Sequence, residues 1–394
     1  MRSRNFNFIT FVNYIFIFLV VNYSLFVNFI TGVDSAGYGL SLLSIIVVFL
    51  NFRDFNQIQS QRPVLFWLLL CIYAFLNYYI HPHNIQIPLL VLYRRVFVPL
   101  VSLLVVIKEY KNDKYRLLWL CFITYATFFA LGAYFDKGLI SGVEGTHRQL
   151  GNHYAITSCL SVFFLILLNR NKKISLPLTV VIIILVMIVV SMTGTRKAFG
   201  AGLIIISFWI YSFSQKRELG SWLIIGFFIV VGYFGYQYLL DNTYMGARME
   251  YLEEQQVESL PGGAPEFLSI FGDRASHYYY GWLSFLNHPL FGVGTGQSSV
   301  AGGSYIHTEY IAQLSDGGIL GFSLFFFFLY RVIKNVFKHW HNDSVTCRCM
   351  CGGLAALLFL YFTTWGWEFP DYFICWGTLV AYGWDFTYND ISKS

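Results

Sequence analysis

The chain has 394 residues, of which 56% are hydrophobic, 20% aromatic and only 12% charged, with a formal net charge of +5 and a mean hydropathy of +0.56. A soluble domain is about a quarter charged, so this composition excludes an ordinary soluble domain and describes a chain solvated by lipid. At roughly 20 residues per crossing helix, the expected fold is an all-α polytopic membrane protein with about 12 transmembrane helices.

In chain order, apolar runs predict spans at 8–30, 36–52, 64–80, 88–107, 116–134, 153–169, 176–194, 198–214, 221–240, 314–333, 348–366 and 371–386. The first follows Arg2 and Arg4, exceeds a signal-peptide core and lacks a small-x-small cleavage site, so it reads as a span rather than a leader. Residues 1–240 then hold spans one to nine, 241–306 form one large hydrophilic loop, and 307–394 hold the last three spans and the C-terminus.

An even number of spans puts both termini on one side. The positive-inside rule makes that side cytoplasmic, because Arg2/Arg4, Arg53/Arg62, Lys108 to Arg116, Arg170 to Lys173, Lys216/Arg217, Arg331 to Arg348 and Lys393 all fall there. The large loop is then external. The seven cysteines lie in spans or on the inner side, which implies no disulfide framework. Alternating Cys347, Cys349 and Cys351 do not converge with His339 and His341 on one ion. No metal and no other cofactor is expected.

Eight basic residues break the rule by falling outside: Arg94, Arg95, Lys137, Arg148, Arg196, Lys197, Arg248 and Arg274. Seven of the nine histidines (His81, His83, His147, His153, His277, His288 and His307) join them. Cations there oppose correct insertion, and a shared anionic ligand at the outer face is the simplest compensation. Arg94 and Arg95 stand inside an apolar run. Adjacent helical residues point about 100° apart, so one is expected to serve a site and the other to anchor by snorkelling.

The outer segments carry the motifs. SMTGTRKAF (Ser191 to Phe199) is a short turn between two spans that pins Arg196 and Lys197 at the interface. Glu250 and Glu254 mark a solvated helix face early in the loop. FGDRASHYYYGWLSFLNHPLFGVGTG places Arg274 ahead of a helix over Ala275–Leu286, on which Tyr278, Trp282 and Phe285 form a face suited to the membrane surface. GVGTG (Gly292 to Gly296) lacks the Rossmann and Walker spacings and reads as a flexible turn.

YIHTEYIAQLSDGGILG begins a run from Ile306 to Ile333 that is too long for one perpendicular span. Its first turns should project into an outer cavity, with Gly317, Gly318 and Gly321 permitting a bend. Glu309, Gln313 and Asp316 fall at i, i+4 and i+7 and form one polar stripe. His307 sits at the helix start, where the dipole disfavours imidazolium. A neutral imidazole is what a general base requires.

Taken in order, GTRKA, the Arg274 helix ending HPLFGVGTG, and HTEYIAQLSDGGILG resemble the bacterial O-antigen polymerase and ligase superfamily (Wzy-type and WaaL-type). The resemblance covers Ser191 to Tyr330 in motifs, and the whole chain in span count and late external loop. It implies a GT-C-like, lipid-carrier-dependent glycosyltransferase of the bacterial inner membrane, with its active site facing the periplasm. Its implied substrates are undecaprenyl-pyrophosphate-linked oligosaccharides, as donor and acceptor, with a chain-length regulator as a further expected partner and no nucleic acid.

The roles it implies are catalytic for Arg196 and Arg274, which hold the pyrophosphate, and for His307, which activates the acceptor hydroxyl. Thr308 stands where many members have Asn, and Glu309 at a position often acidic in ligases. Arg94, Arg95, Lys197, Arg148, Glu309 and Asp316 are the expected substrate-binding residues. The favoured activity is the O-antigen polymerase, on the HPLFGVGTG segment and the high Phe and Tyr content. A ligase acting on the lipid A core, or a capsule or exopolysaccharide polymerase, is the alternative. A transporter or flippase should show two related halves with matching broken helices, and the chain has no internal repeat.

Overall fold

The computed structural model describes residues 8–26, 33–59, 61–81, 86–135, 148–193, 195–213, 265, 275–298, 306, 308–341, 344–363 and 370–391. These form helices α1 (Phe8–Phe26), α2 (Val33–Gln59), α3 (Arg62–Ile80), α4 (Leu89–Phe135), α5 (Arg148–Arg170) and α6 (Leu176–Met192). Next come α7 (Arg196–Phe213), α8 (Ala275–Asn287), α9 (Glu309–Phe337), α10 (Ser344–Thr363) and α11 (Tyr372–Ile391). No strand occurs among the described residues.

Lipid dictates this all-helical state, because in hydrocarbon every backbone polar group must be paired internally and a helix does so by itself. Six described stretches are long and apolar enough to cross a membrane: Gly37–Ile58, Arg62–Ile80, Leu89–Gly132, His153–Arg170, Glu309–Phe337 and Val345–Thr363. Shorter apolar stretches occur at Phe8–Tyr23 and Leu176–Met192. The expected span at 221–240 and most of the hydrophilic loop lie outside the described residues.

Two expected spans, 88–107 and 116–134, are continuous in α4. A straight helix of its 47 residues would extend about 70 Å, more than twice the hydrocarbon thickness. It breaks instead at Asp113 (φ −155°, ψ 91°), within the charged stretch between the two apolar runs. Asp113 Oδ1 accepts the Arg116 N–H at 3.1 Å, so Asp113 caps the second half as a new helix.

α4 is the axis of the bundle and packs on α1, α2, α3, α5 and α11. The apolar window of α5 is 89% buried. Helices in lipid associate through close packing rather than hydrophobic drive, and small residues make that packing possible. A Cβ at Gly377 of α11 would lie 2.8 Å from Val106 of α4, and one at Gly352 of α10 2.8 Å from Phe208 of α7.

A buried polar network clamps α1, α2 and α4 at the end of the bundle away from the start of α9. Asn13 Nδ2 donates to Glu109 Oε1 at 2.6 Å and to Asn51 Oδ1 at 3.2 Å. Asn51 Nδ2 donates back to Asn13 Oδ1 at 2.9 Å. Lys108 bonds Asn51 Oδ1 and pairs with Asp54 at 2.6 Å. Asn13, Asn51 and Glu109 are buried, and each finds the partner that burial of a polar group demands.

Candidate functional site

The site is built on a break in α9. Gly318 has φ 59° and ψ −161° inside the helix, a conformation accessible essentially to glycine alone. A break at membrane depth exposes backbone groups, and the segment 288–298 pairs them. Val293 N–H donates to Ser315 O at 2.9 Å, Gly294 N–H to Asp316 O at 3.1 Å, and Ile319 N–H to Pro289 O at 2.8 Å. From α3, Tyr73 OH donates to Gly317 O at 2.7 Å and Asn77 Nδ2 to Asp316 O at 2.8 Å.

Asp316 completes the joint from its side chain: Oδ2 accepts Gly296 N–H at 2.9 Å and Oδ1 accepts Ser298 N–H at 3.0 Å. Non-helical backbone is tolerated at such depth only when buried in protein like this. The expected bend is therefore present. The reading of GVGTG as a flexible turn is corrected: it is a strap hydrogen-bonded to the break, because the break leaves donors and acceptors that only a neighbouring main chain can satisfy. Gly292 (φ 72°) also abuts the Asp316 carbonyl so closely that no Cβ fits.

Beside this joint lies a cavity between α3, α4, α9 and the strap. Leu70, Tyr73, Ala74, Ile87 and Leu92 supply its apolar wall, and Arg95, Thr295, Gln313 and Asp316 its polar part. The geometry separates the two adjacent arginines. Arg95 lines this cavity. Arg94 turns toward α1 and α2, where it hydrogen-bonds Tyr23 OH, lies 5.1 Å from that ring, and occupies the space a side chain at Gly37 would need. Arg94 is thus drawn away from the cavity that Arg95 enters.

The expected polar stripe of α9 is buried along its length: Glu309, Gln313 and Asp316 are all enclosed. Gln313 Nε2 donates to Glu309 Oε1 at 2.7 Å. Thr308, in extended conformation ahead of the helix, gives its hydroxyl to Tyr361 O of α10 at 3.3 Å. That contact brings the start of α9 to the end of α10, where Lys197 Nζ of α7 lies 3.5 Å from Thr363 O. Arg196, the first residue of α7, is exposed.

His307 and Arg274 lie outside the described residues. Arg148 is the first residue of α5, and its side chain is likewise outside them. Tyr73, Asn77 and Thr295 were not anticipated. Their sequence signal is slight: one Asn and one Tyr near the end of an apolar run.

α8 spans Ala275–Asn287, one residue beyond expectation. The expected Tyr278/Trp282/Phe285 face is split. Tyr278 OH donates to Phe362 O of α10 at 2.8 Å, because Ala275, Gly281 and Ser284 form the buried side and turn Tyr278 inward with them. Tyr280, Trp282, Leu286, Leu290 and Phe291 are exposed apolar residues, a surface suited to acyl chains and headgroups.

The fold and this site define a polytopic helical membrane protein whose polar residues gather where α9 begins. Residues 181–326 match the family model described as O-antigen ligase, a segment that runs from α6 through the strap into α9. The match supports a relationship of this segment to the O-antigen ligase and polymerase superfamily. No curated protein sequence matches the chain.

Proposed function

We propose that this protein is an O-antigen polymerase of the bacterial inner membrane. In this reading it transfers a growing glycan from undecaprenyl pyrophosphate to a sugar hydroxyl of another carrier-linked repeat unit at the periplasmic face. The observation that carries it is the family-matched segment 181–326 ending in a strapped, broken α9 whose polar stripe leads from Glu309 to the Arg95 cavity.

The chemistry asks for three things. The bond from the anomeric carbon to pyrophosphate oxygen breaks, and its electron pair leaves with the pyrophosphate. Guanidinium groups stabilise that charge in a bidentate manner, the role of Arg196 and Arg274. The acceptor hydroxyl forms the new bond and gives its proton to His307. A carrier whose tail lies in lipid and whose sugars lie in water places this exchange at the outer threshold of the bundle. Arg95 and Gln313 contact the polar part of a carrier-linked substrate, while Asp316 shapes the cavity by holding the strap. A regulator of chain length is a partner on this reading.

The second reading is the O-antigen ligase, with the lipid A core as acceptor, which the match to the O-antigen ligase family supports equally. A lipopolysaccharide gel from a strain deleted for this gene, with and without a plasmid copy, separates the two. Collapse of the ladder to core plus one repeat unit identifies the polymerase. Loss of all O-antigen from the core, with long carrier-linked chains persisting, identifies the ligase. An unchanged ladder contradicts both.

A further inference from the structure

The cavity between α3, α4, α9 and the strap is small, apolar on one side and polar on the other. Its volume is about 30 Å³, room for roughly two or three water-sized atoms. A whole sugar ring or a pyrophosphate exceeds that, and a single small substituent matches it. Leu70, Ala74 and Leu92 belong to its apolar wall, which stabilises a guest that brings an apolar end.

The polar wall is rich in acceptors. Gln313 commits its Nε2 to Glu309 at 2.7 Å, which leaves its amide oxygen as an acceptor. Thr295 gives its hydroxyl proton to Ala74 O at 2.7 Å and keeps an oxygen that accepts. Asp316 holds the Gly296 and Ser298 N–H groups on its two oxygens, an arrangement that favours its ionised form. Against these stands Arg95, whose guanidinium brings N–H donors and whose charge acts on Asp316. The arrangement asks for a guest with a donor, an acceptor and an apolar end.

Other guests fit it less well. A carboxylate or phosphate meets Arg95, but also the Asp316 charge and the oxygens of Gln313 and Thr295, which oppose it. A stretch of carrier hydrocarbon covers the apolar wall and leaves the polar one without water. A lone hydroxyl leaves the apolar wall bare. We propose that the cavity is a specificity pocket for the acetamido group of the sugar joined to the carrier pyrophosphate. The methyl lies on Leu70, Ala74 and Leu92, the carbonyl accepts from Arg95, and the N–H donates to Gln313 Oε1. This role rests on the glycosyl-transfer reading above and adds the class of sugar that the site selects. From Glu309 to Asp316 the polar stripe runs about 10 Å. The distal part of a glycan lies in water, so the sugar at the reacting bond is the one that comes near enough.

The test compares two probes on the full chain in nanodiscs, undecaprenyl pyrophosphate carrying N-acetylglucosamine or glucose, with Kd as the readout. The two differ only in an acetamido group against a hydroxyl. The wild-type chain should bind the acetamido probe at least about tenfold more tightly, the order set by lost hydrogen bonds and an unfilled apolar seat. Ala74→Leu fills the methyl seat, and Gln313→Met removes the acceptor at similar length. Each should erase the preference, by weakening the acetamido probe more than the glucose probe, with the thermal unfolding midpoint showing that the variant is folded. If neither variant folds, the wild-type comparison alone decides. Equal wild-type binding of the two probes, a preference that survives both variants, or tighter binding of a glucuronate probe would overturn the proposal and leave the transfer reading standing. A wild-type chain that binds none of the carrier-linked probes would sink the transfer reading, and the pocket with it.

Discussion

The side-chain amide of Asn77 in α3 donates to the main-chain carbonyl of Asp316 at 2.8 Å, across the break in α9. The same amide reaches Phe291 O of the strap at 3.2 Å, so one side chain ties three segments together. Asn77→Leu leaves those carbonyls short of a donor in a dry place. We expect a loss of about 1–3 kcal/mol, read as a lowered unfolding midpoint of the purified protein in detergent. An unchanged midpoint would remove Asn77 from the joint.

Gly318 and Gly292 carry the break and the strap, both at positive φ. A Cβ at Gly318 would lie 2.5 Å from Leu290 main-chain atoms. Gly318→Ala and Gly292→Ala are each expected to cost at least about 1–3 kcal/mol from backbone strain, and more from the clash. Gly39 in α2 has nothing within 4 Å of its would-be Cβ, so Gly39→Ala should be neutral or slightly stabilising. Equal effects at the three positions would contradict the broken-helix geometry.

The two adjacent arginines should separate by readout. Arg95→Ala is expected to lower glycan transfer at least about tenfold with stability retained, since Arg95 lines the cavity and loses a charge-assisted contact of about 1.5–3 kcal/mol with substrate. Arg94→Ala should instead lower stability, through its Tyr23 partnership, with transfer per folded molecule preserved. Transfer measured against the amount of folded protein decides the matter, and the reverse pattern would exchange their roles.

Asn13 is the hub of the clamp between α1, α2 and α4. Asn13→Leu strips a donor from buried Glu109 and two bonds from Asn51, which keeps Lys108 on its Oδ1 and the Val47 carbonyl on its Nδ2, and should cost about 1–3 kcal/mol. Glu109→Gln keeps an acceptor for Asn13 and should cost less. Thermal unfolding of the two variants side by side tests that order.

The helices were legible because lipid leaves the chain few alternatives, and the apolar runs mark them directly. The bend in α9 was legible from SDGGILG, since consecutive glycines after a polar turn weaken a helix. The strap was not, because its bonds run between main-chain atoms of residues 289–294 and 315–320 and leave no side-chain pattern. The divergence of Arg94 and Arg95 was legible from the roughly 100° step between adjacent helical residues, but not which of them enters the cavity, which depends on Tyr23 and Gly37, far away in sequence. Asn13 and Asn51 did leave a trace as isolated polar residues in apolar runs. What hid their roles was that each finds its partners on another helix.

The most direct test is transfer by purified protein in nanodiscs supplied with undecaprenyl-pyrophosphate-linked repeat units. The wild-type chain should release undecaprenyl pyrophosphate and lengthen the carrier-linked glycan, whereas His307→Ala should insert and fold normally and do neither. Full activity in His307→Ala, or no transfer by the wild-type chain to either a carrier-linked repeat or a lipid A core, would contradict the account.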